Sequence, residues 1–286
     1  SNMDDEINEI KNGNEDEILE GTLVELDNDR ITSIAPYKFK NDTNISMANL
    51  ENVTSVGDYT FDGCTNLVDI NIPLVTSIGE YAFRNCAINS LLSLSNLQSL
   101  DLGAFYGCSN MTSFDAPHIT TIPNYTFEEC ENLESINCPE ITKIGAEAFN
   151  ACYLLKSVDF PKVTTIDRAT FYHCNALTSV NLPLLTGTGY QGFAYCTSLE
   201  KIDLPSVTTT GNQSFSNCSS LVALILRSDT MVSLYGTTTL SNTPIASGTG
   251  YIYVPSALID TYKANSKWST YANQFRAIED YPDICG

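Results

Sequence analysis

The sequence predicts an α/β repeat solenoid, a stack of about nine 22-residue coils with a parallel β-sheet and short helical or 3₁₀ turns. The first observation is a phenylalanine that recurs every 22 residues from Phe39 to Phe215, without insertion or deletion. The second is a cysteine three residues after each phenylalanine from Phe61 onward. The third is a segment such as Ile70-Asn71-Ile72-Pro73 in each coil, where apolar residues two apart indicate a short strand.

Each part of a coil follows from one part of the repeat. Alternate strand side chains point inward, and the proline, which has no N–H, ends the strand. The segment Gly79-x-x-Ala82-Phe83-x-x-Cys86 has apolar residues three apart, which fits a short helix or 3₁₀ turn. A glycine precedes this turn in five coils, and we expect it to supply a positive φ. These glycines are Gly57, Gly79, Gly145, Gly189 and Gly211.

The repeat divides the chain into three predicted parts. Residues 1–30 form an acidic N-terminal tail that ends in a capping strand, and residues 31–227 form the solenoid. Residues 228–286 form a loop and a C-terminal capping segment with two short helices. Stacked coils need such caps, because no coil can bury its apolar face alone.

The C-terminal segment is predicted in more detail. Residues 228–250 are rich in serine, threonine and glycine and indicate a long loop. Tyr251–Pro255 then predicts one more strand. Helices are expected from Ser256 to Ala264 and from Ser266 to Phe275, each with its serine as N-cap. Trp268, Tyr271 and Phe275 share one face of the second helix, which we interpret as a lid over the last coil.

Composition excludes several classes of partner. The chain of 286 residues has 14 Lys and Arg against 34 Asp and Glu, a net charge of −20. Such a surface repels phosphate backbones and anionic lipid, so nucleic acid and direct membrane insertion are not expected. The apolar run Leu221–Leu226 is far shorter than the roughly 18 residues of a membrane span. No native signal peptide is visible in the acidic N-terminal stretch.

From Leu67 to Cys86 the chain reads Leu-x-x-Ile-x-Ile-Pro-x-Val-Thr-x-Ile-Gly-x-x-Ala-Phe-x-x-Cys. This pattern resembles the BspA-like branch of the leucine-rich repeats, over about residues 30–227. The resemblance implies a leucine-rich-repeat-like stack and a bacterial surface or secreted protein, since members of that branch include proteins that adhere to host matrix or to other bacteria. Similar arrays occur in protozoan surface proteins and in phage-tail genes. The branch has no common active site, so the resemblance implies no catalytic residues.

Ten cysteines raise the question of disulfides and metals. The eight repeat cysteines lie in single file, and their parallel side chains do not tilt their Cβ atoms together as a disulfide requires. We therefore expect buried free thiols at these positions and at Cys138. Cys285 is expected to be exposed and available to join two chains. No Cys-x-x-Cys pair occurs, so no metal site is predicted.

Two further patterns have no chemistry that we can assign. His118 and His173 lie 55 residues apart at variable positions, without an identifiable nucleophile. Gly187-x-Gly189-x-x-Gly192 matches a dinucleotide fingerprint but lies inside a coil rather than a βαβ unit. We predict no catalytic residue and no cofactor.

Three repeat positions place similar side chains side by side. On the strand, an outward position between two core residues predicts binding residues at Asn71, Asp115, Asn137, Asp159, Asn181 and Asp203. This row is suited to a polar partner or a divalent cation, and equally to a solvated stack. A threonine row from Thr32 to Thr208 suits glycans or ice but also follows from β-propensity. Tyr37, Tyr59, Tyr81 and Tyr125 form either a contact stripe or a packing surface.

The sequence therefore predicts a non-catalytic, extracellular or cell-surface binding module, adhesin-like, that recognises a protein or glycan through a face of the solenoid. The alternative is a structural spacer or assembly component of a surface or phage-tail structure, in which the caps make the contacts.

Overall fold

The chain winds into a stack of coils, each built from two short strands joined by turns. The computed structural model describes residues 24–89 and 92–286, so residues 1–23 of the N-terminal part predicted for residues 1–30 lie outside the described residues. The predicted solenoid is confirmed, with about 11 turns rather than nine and little helix. The division of the chain into three parts stays a prediction.

The first strands of the coils lie in one row along the stack. They are β1 Val24–Asp27, β3 Ile45–Asn49, β5 Asp69–Asn71, β7 Leu92–Ser93, β9 Ser113–Asp115, β11 Ser135–Asn137, β13 Ser157–Asp159, β15 Ser179–Asn181, β16 Lys201–Leu204, β18 Ala223–Leu226, β20 Tyr251–Val254 and β21 Phe275–Ala277. Their pairings are parallel, and backbone hydrogen bonds join them in the groups β1-β3-β5, β7-β9-β11, β13-β15 and β16-β18-β20-β21. The outward side chains of this row form a surface that we call the strand face.

A second row of two-residue strands follows the first. Its members are β2 Ser33–Ile34, β4 Ser55–Val56, β6 Ser77–Ile78, β8 Ser99–Leu100, β10 Thr121–Ile122, β12 Lys143–Ile144, β14 Thr165–Ile166, β17 Thr209–Thr210 and β19 Ser233–Leu234. Gly187 makes only an isolated bridge to Thr209, so this coil contributes no strand to the second row. These strands also pair in parallel, mostly with residues one coil of 22 apart.

The repeat phenylalanines form one stacked column through the core. Phe61, Phe83, Phe105, Phe127 and their successors are fully buried, and neighbouring rings from Phe39 to Phe215 have centroids 5.3–5.9 Å apart. Leucine, isoleucine and valine side chains from both strand rows surround the column in a single cluster that runs from Leu26 to Phe275. Stacking therefore buries a continuous core that no single coil could form.

The turns that carry the phenylalanine differ from a helix in their hydrogen bonding. Alternate N–H groups bond back to the third preceding carbonyl, as Asp42 N does to Phe39 O at 2.9 Å. The N–H groups between them donate to the next coil, as Phe39 N does to Thr60 O at 2.9 Å. Two positions of each turn, four residues apart, have positive φ, for example Tyr59 and Gly63. We call the outer surface of these turns the turn face.

The glycines before the turns serve close contact rather than a positive φ, and the expectation for them is wrong at four of five positions. Gly189 has φ +66°, but Gly57, Gly79, Gly145 and Gly211 do not have positive φ. A Cβ on Gly145 would lie 2.4 Å from the backbone nitrogen of Asn124 in the preceding coil. The positive φ falls two residues later, at residues such as Tyr59 and Tyr81.

Residues 228–250, predicted as a loop, form another coil. Ser233 of β19 pairs with Thr209, and Phe215 N donates to Thr239 O at 3.0 Å, as each repeat phenylalanine does to the coil that follows it. Leu240, which is fully buried, occupies the place of the repeat phenylalanine. The coil ends in helix α1, Pro244–Ser247, capped by the Thr243 hydroxyl. Its spacing of 24 residues from Thr209 to Ser233 conceals the repeat.

The lid is built from two helical pieces, as predicted, with different caps. A 3₁₀ helix, Ser256–Leu258, leads into α2, Ile259–Ala264, and a kinked 3₁₀ helix spans Trp268–Gln274. The predicted serine N-caps are wrong, because Ser256 makes no capping bond and the Asn265 side chain accepts from Lys267 N and Trp268 N instead.

Aromatic side chains of the lid close the last coil, as expected. Trp268, Tyr271 and Phe275 are buried, and Phe275 begins β21 rather than ending a helix. Tyr262 Oη accepts from Val232 N at 2.8 Å and Trp268 Nε1 donates to Val232 O at 2.8 Å. Two hydrogen bonds to the backbone of Val232 therefore attach the lid to the final coil.

The C-terminal segment, residues 278–286, folds back over the strand face. It contains a 3₁₀ helix, Ile278–Asp280, and helix α3, Pro282–Cys285. Cys285 is 4% exposed and packs with Ala223, Ile225 and Tyr253, so the prediction of an exposed thiol is wrong. The cause is a tertiary contact that no local pattern near Cys285 indicates. Among the described residues, no helix has the length and apolarity to cross a membrane.

Candidate functional site

The strand face brings the six predicted binding residues into one row. Parallel register places Asp115 beside Asn137 and Asp159 beside Asn181, and it places Asp203 beside Ile225. Asn71, Asn137, Asp159 and Asn181 are exposed, whereas Asp115 and Asp203 are half-buried. Because side chains two residues apart share one side of a strand, a second row of Ser113, Ser135, Ser157 and Ser179 lies next to the first.

Hydrogen bonds between side chains order the row. Asn137 Nδ2 donates to Asp115 Oδ1 at 2.8 Å, and Asn181 Nδ2 donates to Asp159 Oδ1 at 2.7 Å. Asn71 Nδ2 donates to Asn49 Oδ1 at 2.6 Å. These bonds join residues of strands that are also backbone-paired, within the groups β1-β3-β5, β7-β9-β11 and β13-β15. The row is a pre-ordered set of amides and carboxylates that offers acceptors and donors to a polar partner.

The C-terminal segment closes the strand face at one end. Arg227 binds Asp203 with Nε 2.9 Å from Oδ1 and Nη2 2.8 Å from Oδ2, and its Nη2 also donates to the carbonyl of Cys285. Lys201 Nζ donates to the carbonyl of Ile284 at 3.0 Å. Ile225, the apolar member of the row, is fully buried under this segment. The exposed part of the face therefore ends at Asp203.

The threonines that precede the strands of the second row use their hydroxyls in hydrogen bonds within the solenoid. The Oγ1 atoms donate to the carbonyl of the threonine one coil earlier at 3.0–3.5 Å, in Thr54, Thr76, Thr142, Thr164, Thr186 and Thr208. This bonding favours the interpretation of the threonine row as structural.

An open groove of about 660 Å³ runs beside β2, β4, β6 and β8. It is lined by serine residues and by Asp58 and Asp101.

At the N-terminal end, the turn face carries stacked tyrosine rings with Lys and Arg side chains packed on them. Tyr37 and Tyr59 stack with centroids 5.0 Å apart, and Tyr81 follows at 5.5 Å. The Arg84 guanidinium lies 4.4 Å from the Tyr81 ring and makes two 2.8 Å hydrogen bonds to the buried carboxylate of Asp62. Packing and ion pairing thus account for three of the four predicted tyrosines.

Acidic side chains gather on the turn face near the middle of the stack. Tyr125, the fourth tyrosine, accepts from Arg168 Nη2 at 3.0 Å, and Arg168 also pairs with Glu147 at 3.4 Å. Asn150 Nδ2 donates to Glu128 Oε1 at 3.1 Å. Burial, followed by the charge of Glu147, raises the pKa of Glu128 to about 7. This carboxyl is therefore partly protonated at neutral pH.

Further along the turn face lies a group of aromatic residues that the sequence analysis missed. His173 stacks on Tyr195 with centroids 4.3 Å apart, and Tyr172 meets His173 edge-on at 4.6 Å and Tyr195 at 5.4 Å. Tyr153 meets His173 edge-on at 6.4 Å. The 22-residue period alone places His173 and Tyr195 at one repeat position, and this signal was available in the sequence.

The thiols are buried and unpaired by disulfides, as predicted for the eight repeat cysteines and Cys138. Each repeat thiol donates to the carbonyl of the phenylalanine in the preceding coil, as Cys64 Sγ does to Phe39 O at 3.1 Å. Burial raises the pKa of Cys108 to about 12. Such thiols are poor nucleophiles and poor metal ligands. In the part of the chain that the structure describes, no three His, Cys, Asp or Glu side chains converge as a metal site would require.

A comparison with protein families agrees with this architecture. The profile of a family described as BspA type leucine rich repeat region matches in 6 copies, over residues 32–156 and 142–251. A leucine-rich repeat protein from Bacteroides ovatus has 21% identity and a TM-score of 0.40, covering 90% of this chain and 83% of that chain. A leucine rich cell surface protein from Faecalibacterium prausnitzii has 19% identity and a TM-score of 0.41, covering 85% and 86%. No curated protein matches the sequence.

Proposed function

Because the chain belongs to the BspA-type leucine-rich repeat family, we propose that it is a non-catalytic binding module that acts at a cell surface or after secretion. Its partner is a protein or glycan on a host or bacterial surface. A long rigid stack offers an extended face and little enclosed volume, which suits recognition of a large ligand better than catalysis.

The observation that carries this proposal is the in-register polar row of the strand face. Its side chains are held by mutual hydrogen bonds such as Asn137 to Asp115 and Asn181 to Asp159. A pre-ordered row loses little side-chain entropy when a partner binds. The row repeats along the stack and therefore matches a partner that is itself extended.

The charge of the polar row determines how strongly binding should depend on salt. The exposed Asp159 and the half-buried Asp115 lie in the part of the row that the C-terminal segment leaves uncovered, in a chain with net charge −20. A partner that presents basic groups to these carboxylates binds with a strong dependence on ionic strength. A partner that presents hydroxyls or amides binds with little salt dependence.

The test is equilibrium binding of the purified protein to matrix proteins, mucin glycans and bacterial cell walls at about 0.15 and about 0.5 M salt. The triple variant Asp115→Ala, Asn137→Ala, Asp159→Ala should bind at least about tenfold more weakly. It should still fold, because exposed polar pairs each contribute less than about 1 kcal/mol. The matched control, Glu131→Ala with Asp229→Ala, also removes two acids, from exposed positions outside the row.

Two results would count against the proposal. Unchanged affinity in the triple variant would refute the assignment of the strand face. No saturable binding to any member of the panel would refute the module itself and favour the structural spacer. In that case, removal of residues 278–286 should disrupt assembly while the triple variant assembles normally.

A further inference from the structure

The aromatic group of the turn face has three of its four members in a stretch of the chain without formal charge. We call Tyr153, Tyr172, His173 and Tyr195 the aromatic cluster. No Asp, Glu, Lys or Arg occurs from Ala169 to Leu199, although the chain has 14 basic and 34 acidic residues. Burial lowers the pKa of His173, which favours its neutral imidazole. The nearby Arg168 at the border is paired with Glu147.

The rings of the cluster are both ordered and accessible. Tyr172 contacts both His173 and Tyr195, and Tyr153 contacts His173. Tyr153 is 40% exposed, and Tyr190, which lies in the same uncharged stretch as Tyr172 and Tyr195, is 47% exposed. Rigid tyrosine rings give contact area at a low cost in conformational entropy.

Neutral hydrogen-bonding groups surround the rings. Asn175 Nδ2 donates to Tyr195 O and to Thr197 Oγ1, each at 3.3 Å. Gln191, in the same coil as Tyr195, donates through Nε2 to Gln213 Oε1 at 2.8 Å. Amides and a hydroxyl therefore lie in the coils that carry Tyr172 and Tyr195, whereas Arg84, near Tyr59 and Tyr81 on the same face, forms an ion pair.

Two residues of the cluster, His173 and Tyr195, have a backbone conformation that is unfavourable for bulky side chains. His173 and Tyr195 have φ of 59° and 61°. Five of the other coils place asparagine or glycine at this repeat position, namely Asn41, Gly63, Asn85, Gly107 and Asn217, and two place Glu129 and Ala151 there. Bulky residues in the left-handed region are disfavoured by about 1 kcal/mol relative to glycine, and the rings fill no core. Their mutual stacking offsets part of this strain.

We propose that the aromatic cluster binds a neutral glycan chain. The apolar C–H faces of sugar rings pack on tyrosine rings, while sugar hydroxyls pair with amides and hydroxyls such as those of Asn175 and Thr197. An acidic polymer would find no cation in the stretch Ala169–Leu199, and a basic partner would find no carboxylate there. This inference rests on the proposed binding function and names one partner class and the face that receives it.

The test uses affinity electrophoresis and calorimetry with laminarin, yeast mannan and galactomannan as neutral probes, and heparin and polygalacturonate as charged ones. The double variant His173→Asn, Tyr195→Asn introduces the residue that the chain itself carries at this repeat position. It should bind the neutral polysaccharide at least about tenfold more weakly, with a melting temperature no lower than that of the unmodified protein. Binding should change little between about 0.15 and about 0.5 M salt.

The control is Tyr81→Gln, which removes a ring from the turn face outside the cluster and introduces the residue type found at Gln191 and Gln213. Its affinity for the neutral polysaccharide should be unchanged. Binding that survives in the double variant but is lost in the Asp115, Asn137, Asp159 triple variant overturns this inference and leaves the proposed function standing. A second result would also overturn this inference and leave the proposed function standing. It is saturable binding to a matrix protein by a protein whose migration in affinity electrophoresis the neutral polysaccharides do not retard.

Discussion

Glu128 shows how a single side chain on the outside of a turn makes the solenoid sensitive to pH. Its carboxyl is half-buried, accepts one hydrogen bond from Asn150 and lies near Glu147 and Glu129. The cation in this region, Arg168, is engaged by Glu147 and Tyr125. Glu128 therefore holds its proton in the folded state at a pH where the unfolded chain has released it.

We predict that the free energy of unfolding falls as pH rises from about 4.5 to about 7, because the folded state binds one more proton at Glu128 in this window. Glu128→Gln removes this contribution. Urea unfolding at about pH 5.5 and about pH 8 should give a variant that is more stable than the unmodified protein only at the higher pH, by about 1 kcal/mol after solvent screening. An identical pH dependence in both proteins would contradict this account.

At the scale of elements, the distance between coils depends on glycines that have no room for a side chain. Gly145 lies against the backbone of Asn124, and Gly211 lies against that of Gly189. Backbone atoms on both sides cannot move apart without disturbing the strands of two coils. These positions control stacking rather than the direction of the turn.

We predict that Gly145→Ala and Gly145→Asn destabilise the protein equally, by about 1–3 kcal/mol, because each adds a Cβ into an occupied space. A residue held at positive φ would instead tolerate asparagine better than alanine. Gly248 is the control, since it has φ +93° and open space around it. Thermal or urea unfolding of the four variants decides between the two explanations, and a clear advantage of asparagine at position 145 would refute the contact.

The C-terminal segment is the second element whose attachment is testable. Arg227 holds it by bonds to Asp203 and to the Cys285 carbonyl. Arg227→Gln should free the segment, so Cys285 should become reactive toward a thiol reagent while the overall fold persists. The unmodified native protein should react slowly at all ten cysteines of the chain and fully only when denatured. Equal native reactivity before and after the change would show that Arg227 does not hold the segment.

At the scale of the whole molecule, the stack is one core without an internal boundary. The buried cluster runs from Leu26 to Phe275 and includes Trp268 of the lid. Val232, between the last regular coil and the lid, is bound by both Tyr262 and Trp268. The lid is thus part of the same cooperative structure as the coils.

Trp268 is the single tryptophan of the chain, so its fluorescence reports on the lid alone. We predict that its denaturation midpoint coincides with that of the far-ultraviolet circular dichroism, which reports on the strands of all coils. Trp268→Phe, which loses the bond to Val232 O, should lower both the dichroism midpoint and the overall stability. A fluorescence transition at lower denaturant would show that the lid unfolds as a separate unit.

Sequence predicts the coils well because the period determines them. Ile70 and Ile72 indicate a strand, and β5 lies there; the thiol of Cys64 is buried as its register requires. The coil after Leu226 is not predicted, since Leu240 replaces phenylalanine and the spacing changes. The burial of Cys285 depends on a contact with Ile225, about 60 residues away.

The predicted row on the strand face follows from the same period, whereas the aromatic cluster does not follow from it entirely. The period aligns His173 with Tyr195, but Tyr153 and Tyr172 come from other repeat positions. Only the path of the turn, with its two residues of positive φ, brings the four rings together. The close approach of glycines between coils likewise depends on distances that no spacing in the sequence specifies.

The left-handed positions of the turn have a consequence for how this protein can acquire new specificity. Their backbone conformation is the same whether the residue is Tyr59, Glu147, Ala169 or Gln213, because bonds to adjacent coils determine it. Different side chains therefore occupy these positions on one backbone conformation. A library of variants that differ only at these outward residues would change the binding specificity of the turn face while the buried core stays the same.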